Sequence, residues 1–456
     1  MGEGMARVTL PAVGLAALMT SVAIPAVASA QSVAGELENR APSSNFSRDR
    51  NVGVRERPHP EFEAQGVRLG AFMAYPRLEV AVERDDNIYA TNTGEVDDTI
   101  WRVKPDISIE STWSRHRLAL FAGASVNRYT DHDDENTTDW TVGGDLRLDF
   151  AGRTTVQGHV EHSDLTEPRT SSQTAAGLGP AAAEPVTYSM DDVSIGVAKE
   201  FNRLKLGAGV DFRKFDYDDV RASSPPFPPG SKIEQDDRDR TIRSVTGRAD
   251  YAVSPDTALF VEVVGNNRDY DQASLVGIPG PPFIVAAERD SEGYTVLAGA
   301  NFDLSNLVRG EIGVGYLSQN YDNNVFGDVD GFGFRGKVEW FPTSLTTVTF
   351  AGSRTVEDSG VAGAAAFLFT DFSAQVDHEL LRNVILTGQF SATRSEYEGI
   401  DREDQRWLAS VSATWLVNRR VGVNFGVSHL SQQSDGALAG VEFEDNKVGA
   451  ALILQF

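Results

Sequence analysis

The stretch LKLGAGVDF, Leu204–Phe212, puts Leu204, Leu206, Ala208, Val210 and Phe212 on one side of an extended chain and Lys205, Gly207, Gly209 and Asp211 on the other. Successive strand side chains point to opposite faces, so the segment reads as a strand with one apolar and one polar face. FGFRGKVEW (Phe332–Trp340) repeats the pattern: Phe332, Phe334, Val338 and Trp340 oppose Arg335, Lys337 and Glu339. VGVNFGVS (Val421–Ser428) sets Val421, Val423, Phe425 and Val427 against Asn424 and Ser428. From about residue 77 to Phe456 this period of two is the dominant signal. Dyads in segments of about ten residues are the signature of a membrane barrel, apolar towards lipid and polar towards the lumen.

The connections alternate in length. Tight ones fall around Ser114-Arg115, Ala151-Gly152-Arg153, Asn202-Arg203, Ser254-Pro255-Asp256, Ser305-Asn306, Pro342-Thr343-Ser344, Arg382-Asn383 and Asn418-Arg419. Between them lie longer, acidic, Gly- and Pro-rich segments at 89–97, 131–136, 167–186, 219–236, 272–287, 322–328, 358–366, 398–402 and 432–440. One strand between each pair of connections predicts an all-β fold, a transmembrane antiparallel β-barrel of about eighteen strands, with short periplasmic turns and long acidic extracellular loops. The first strand is expected near Arg77 and the last at Val441–Phe456. Three of the long segments, 167–186, 219–236 and 272–287, are long enough to fold into the lumen, and all three carry apolar or Pro-rich tips, SSPPFPPG and IPGPPFIV among them.

Composition agrees. Hydrophobic residues are 41% of the 456, and no segment after the first thirty residues has the apolar run of about 20 that a membrane helix needs. A spanning chain of this kind must close into a barrel to satisfy its backbone. The formal charge of −25 argues against a nucleic-acid partner. The absence of cysteine excludes a disulfide scaffold, thiolate metal sites and cysteine catalysis. Arg7 precedes VTLPAVGLAALMTSVAIPAV and the small-residue site Ala28-Ser29-Ala30, which predicts a signal peptide over 1–30. Residues 31–66 read as a disordered periplasmic tail and 67–456 as the barrel.

Alternation assigns Lys205, Asp211, Arg213, Glu262, Arg335, Lys337, Glu339, Arg394 and Arg406 to the lumen. Trp101, Trp113, Trp140, Trp340 and Trp415 lie near predicted strand ends, where amphipathic rings form headgroup girdles; Tyr75 has the same setting. The ending GAALILQF places Ala450, Leu452, Leu454 and Phe456 on one face with an aromatic last. This ending resembles the C-terminal signal that barrel-assembly machinery reads, with Leu452, Leu454 and Phe456 as its residues.

Chemistry-bearing patterns are sparse. His159 and His162, three apart on a strand, point to opposite faces and make a poor metal pair. His116, His132, His378 and His429 stand alone. The acid runs Asp97-Asp98, Asp133-Asp134-Glu135 and Asp236-Asp237 lack calcium-loop spacing and read as solvated loops. No catalytic residue, cofactor site or metal site is expected, and the chain does not read as an enzyme.

YPRLEVAVERDDNIYAT (Tyr75–Thr91) and WRVKPDISIESTWSRHRLALFAGASVNRY (Trp101–Tyr129) resemble the alphaproteobacterial outer-membrane barrels known as β-barrel porin type two. The matching features are Tyr-Pro before the first strand, Asp85-Asp86-Asn87, the Pro105 strand and Trp113-Ser114-Arg115-His116. The resemblance implies a barrel without catalytic residues, in the outer membrane of a Gram-negative bacterium, often associated with exopolysaccharide export. Expected partners are outer-membrane lipid and lipopolysaccharide, the assembly machinery, polysaccharide and periplasmic export components. The leading expectation is a passive pore serving as an exit for exopolysaccharide. The alternatives are a general diffusion porin for small solutes and a structural or adhesive barrel with a closed lumen.

Overall fold

The computed structural model describes residues 52–171, 182–223, 228–277, 284–305, 307–361 and 363–456. Residues 1–51, where a signal peptide and the start of a tail are expected, lie outside the described residues, as do half of the tip SSPPFPPG and most of IPGPPFIV. One antiparallel sheet of nineteen strands contains a three-residue stub, Val67–Leu69, and eighteen wall strands. In chain order these are β1 Phe72–Asp85, β2 Asp98–Ser111, β3 Arg117–Tyr129, β4 Thr137–Phe150, β5 Thr154–Thr166 and β6 Thr187–Glu200. Next come β7 Leu204–Tyr217, β8 Arg240–Ser254, β9 Thr257–Tyr270, β10 Ser291–Leu304, β11 Val308–Tyr321 and β12 Val329–Thr343. The last six are β13 Thr346–Asp358, β14 Ala366–Leu381, β15 Val384–Tyr397, β16 Glu403–Asn418, β17 Val421–Asp435 and β18 Phe443–Gln455.

Each strand pairs with its chain neighbours, and β18 returns to β1 from Arg77↔Gln455 to Asp85↔Lys447. Closure gives every wall strand a partner on both sides, which matters in lipid, where each unpaired backbone group costs several kcal/mol. The wall starts earlier than expected. Residues Phe72–Pro76 already pair with β2, and the β18 ladder begins only after Pro76, so the missing N–H falls at the edge of that pairing.

The tight turns use local chemistry suited to hairpins. Gly152 and Arg153 both have positive φ (78° and 56°), the requirement of a type I′ turn between twisted strands. Register shifts at Ala252/Ser254, Trp340/Thr343, Glu379/Leu381 and Leu416/Asn418 mark bulges just before four other tight turns.

Trp101, Trp140 and the unanticipated Trp407 lie on the outer face near the long-loop end, while Trp113, Trp340 and Trp415 lie near the tight-turn end. Outward positions between these levels, such as Leu120, Val142, Val193, Ile195, Val261, Val314 and Phe350, are apolar and exposed. That band suits lipid, where a Lys or Arg at the midplane costs about 2–4 kcal/mol. Leu452 and Phe456 are exposed on the same outer surface, with Leu454 sharing the face of Leu452 along β18.

Candidate functional site: a charged, narrowed lumen

Inward-facing residues alternate with the lipid-facing ones. Phe260 of β9 sits opposite Gly299 of β10, which sits opposite Gly313 of β11. A Cβ at Gly313 would lie 2.9 Å from the Phe260 ring, and one at Gly299 would lie 2.7 Å from it. The glycines therefore leave a shallow trough in the inner wall in which that ring lies flat. The Arg248 guanidinium lies 4.0 Å above the ring.

From that platform Arg248 saturates its donors. It donates to Asp250 at 2.9–3.2 Å, to Glu262 at 3.0 Å and to Glu311 at 2.7 and 2.9 Å. Arg335 of β12 returns to Glu262 at 2.8 Å and approaches Glu311 at 3.6 Å. Asn301 also donates to Glu311 at 3.1 Å. Charged groups from four strands thus form one network pressed against the wall. Next along the wall, the Lys337 side chain is 65% exposed while Arg335 is 11% exposed. Solvent-accessible space therefore adjoins the network inside the barrel.

The structure places the other expected lumen residues as follows. Arg213 is buried on the inner face against Asp192 at 3.0 Å, and Asp211 and Lys205 share its side of β7. Glu339 is held by Arg309. Arg406 is bonded to Gln432. Arg394 is a correction: it shares a face with exposed Phe390 on the outside of the barrel, and it pairs with Glu403 at 2.6 Å and Glu396 at 3.1 Å. Beyond the hydrophobic band the outer surface meets headgroups and water, so charge there no longer marks the lumen. Arg354, 2.9 Å from Glu396, belongs to the same outer belt.

Residues 52–66, expected as part of a disordered tail, are instead packed across the tight-turn end. Val54 is fully buried and its N–H donates to Thr347 Oγ1 at 2.9 Å. Arg55 donates to Asp377 at 2.7 Å and Thr387 at 2.9 Å, and Arg57 pairs with Glu379. Glu56 receives Arg309 at 2.7 Å. Farther round the rim, Arg419 donates to the Pro60 carbonyl, Gln455 to that of Phe62 and Gly66 to that of Phe456, at 3.0–3.1 Å. The strap therefore runs from the β18 seam to β11 and β13–β15. Inward-pointing carboxylates, Asp377 and Glu379, explain the docking: they supply counter-charges for arginines that a polarity argument assigns to solvent.

The long-loop end is narrowed too. Val186, Val220, Ala222 and Ile233 from two loops pack on inward-facing Tyr188, Met190, Phe215 and Tyr217. The hairpin Ser274–Gly277/Ile284–Ala287 contributes Val276 and Ala287 to a second cluster with Leu317, Tyr321 and Val329. The sequence pattern does not reveal a third contribution. Pairing between β12 and β13 stops at Arg335↔Ser353, although β12 continues to pair with β11 and β13 with β14. The wall splits there, and the β13 edge curls inward so that Val356 and Leu368 join Leu317 and Tyr321.

The acid runs singled out in the sequence do not gather into one group. Among the described residues the carboxylates that come together are Asp85, Asp86 and Asp445. Lys447 stands among them, 2.6 Å from Asp85 and 3.2 Å from Asp445, in the place a cation would take. His159 and His162 contact different partners, Asp145 and Asp191.

The sequence profile of the family described as "Putative beta-barrel porin 2" matches residues 59–456. None of the curated proteins compared matches the chain. Similar solved structures include Pseudomonas aeruginosa OpdL, 12% identical, covering 85% of this chain and 100% of that one, with a TM-score of 0.42. A BenF-like porin from Pseudomonas fluorescens Pf-5 is 11% identical, with 84% and 99% covered and a TM-score of 0.41. A ferric enterobactin receptor from P. aeruginosa, PfeA, is 8% identical, with 86% and 82% covered and a TM-score of 0.46. At these values the likeness is one of barrel architecture alone.

Proposed function

This chain belongs to the "Putative beta-barrel porin 2" family, and from that premise we propose that it is a passive outer-membrane channel for small polar solutes. The observation that carries the reading is the exposed Lys337 beside a wall-hugging charged network: polar side chains border water inside a barrel of a size that encloses a channel. Chemically, such a lining passes hydrated solutes without binding them tightly, because its charges are already mutually paired. An exit for exopolysaccharide finds less support. A polymer needs one clear path, whereas the strap at 52–66 lies at one end and inward-packed loops at the other. The paired charges favour neither sign strongly.

The test is single-channel conductance of the full-length protein and of a variant lacking residues 31–65, each shown to be folded by heat-modifiable gel mobility. The reading expects currents from the full-length protein that glucose or raffinose reduces and dextran leaves alone, and larger currents after the deletion. Dextran fragments that block the current where glucose does not would favour the polymer exit. Silence from both folded proteins would overturn the channel and favour a structural barrel.

A further inference from the structure

Where the β13 edge curls inward it meets three arginines. Asp358, its last residue, receives Arg240 of β8 at 2.9 Å and Arg268 of β9 at 2.5 Å. Five strand spacings of about 4.8 Å, roughly 24 Å of wall, separate β13 from β8, so this contact crosses the mouth and does not follow the wall. Arg268 also donates to the Val356 carbonyl at 2.8 Å, and Arg289 donates to the Ser359 carbonyl. These arginines thereby satisfy backbone acceptors near the place where β13 leaves β12.

Three arginines here face three carboxylates, Asp358, Asp237 and Glu357. Three guanidinium groups, each largely withdrawn from solvent, surround the Asp358 carboxylate. Asp237 is 4.0 Å from Arg289, and the Glu357 carboxylate is engaged by Thr355. Four further buried polar atoms in the cluster have no hydrogen-bond partner among the described residues: Arg268 Nε, Arg289 Nε, Tyr270 Oη and Tyr321 Oη. A buried donor left unpaired is costly, which is a reason to expect another acceptor at such a place. Tyr270 also forms an apolar floor, with Arg289 4.6 Å and Arg240 6.0 Å from its ring centroid. Arg forks recognise carboxylate oxygens in pairs, and unpaired N–H and O–H groups around them offer further bonds.

We propose that Arg240, Arg268 and Arg289, with the Tyr270 and Tyr321 hydroxyls, form a recognition site for small carboxylate solutes in the outer mouth, occupied at rest by the chain's own Asp358. A solute carboxylate exchanges with Asp358, gains the unused donors, and frees the β13 edge from its anchor across the mouth. The site then both selects the solute and widens its path. The gating half of this statement rests on the channel reading above; the binding half does not.

The test pairs calorimetry on the detergent-solubilised full-length protein with bilayer currents, using sodium succinate as the probe and glucose as the neutral control. Removing an internal competitor that fills the site about 90% of the time raises apparent affinity about tenfold. Asp358→Asn is therefore expected to bind succinate about tenfold more tightly than the parent, and to conduct more without it. Arg268→Gln and Arg289→Gln are expected to lose succinate binding while keeping heat-modifiable mobility. Equal affinity in the parent and Asp358→Asn, no binding to either, or unchanged binding to folded Arg268→Gln would overturn the site. If the binding pattern appears but no folded protein conducts, the channel reading fails and the site stands.

Discussion

Replacing Arg248 with methionine removes one charge and keeps most of the side-chain volume, so it isolates electrostatics from packing. In the parent, Arg248 and Arg335 offset Asp250, Glu262 and Glu311, leaving the network one negative charge in excess. In Arg248→Met the excess is two. Asp250, which receives both Arg248 Nε and Nη2, loses those bonds and is itself buried. Removing one partner of a buried ion pair costs about 3–5 kcal/mol, because the remaining charge stays desolvated. The hydrophobic replacement over Phe260 returns little of this, since that ring already lies against glycine backbone. Urea unfolding in detergent micelles should therefore register a loss of about 3–5 kcal/mol. Adding Glu311→Gln and Glu262→Gln should recover part of it, since residues in one network couple by about 0.5–3 kcal/mol. In a tenfold KCl gradient the reversal potential should also move towards the potassium equilibrium potential. A variant that unfolds like the parent, with an unchanged reversal potential, would refute the placement of this network beside the conducting path.

Two further outcomes are expected. Lys337→Ala, on the exposed inner wall, should shift the reversal potential towards cations, whereas Arg394→Ala, on the outer belt, should leave it unchanged; equal shifts would contradict the two placements. Burial, reinforced by Asp216, Asp236 and Asp271, pushes the Asp239 carboxyl at the end of the 217–240 loop up to about 6. Its proton is held more firmly in the folded loop than in an unfolded chain, where Asp titrates near about 3.9. The resulting stabilisation is full below that value and is lost as pH rises through about 6. Current flicker from this loop should fall between pH 7 and pH 5 in the parent. In Asp239→Asn it should be low and independent of pH over that range.

Much of the barrel is legible in the chain because its causes are local. Period-two alternation follows from strand geometry, and the unequal connections at 150–154 and 217–240 declare their ends of the barrel through composition. The outer Trp levels and the apolar face of β18 follow from the same alternation. Arg394 escapes that logic because charge marks the lumen only within the height of the lipid, and a one-dimensional pattern carries no height.

The strap and the inward β13 edge depend on distant partners. Residues 52–66 are polar enough to look unstructured, and only barrel closure brings Asp377, Glu379 and Arg309 to the rim where they meet it. Asp358 and Arg240 are more than a hundred residues apart and five strands apart along the wall. The sequence by itself determined that the chain closes into a lipid-facing cylinder with charge inside, since each strand's two faces are written in consecutive residues. Which charges meet across the lumen, and therefore what narrows it, was decided only by tertiary structure, because those encounters depend on strand register and on where the wall splits.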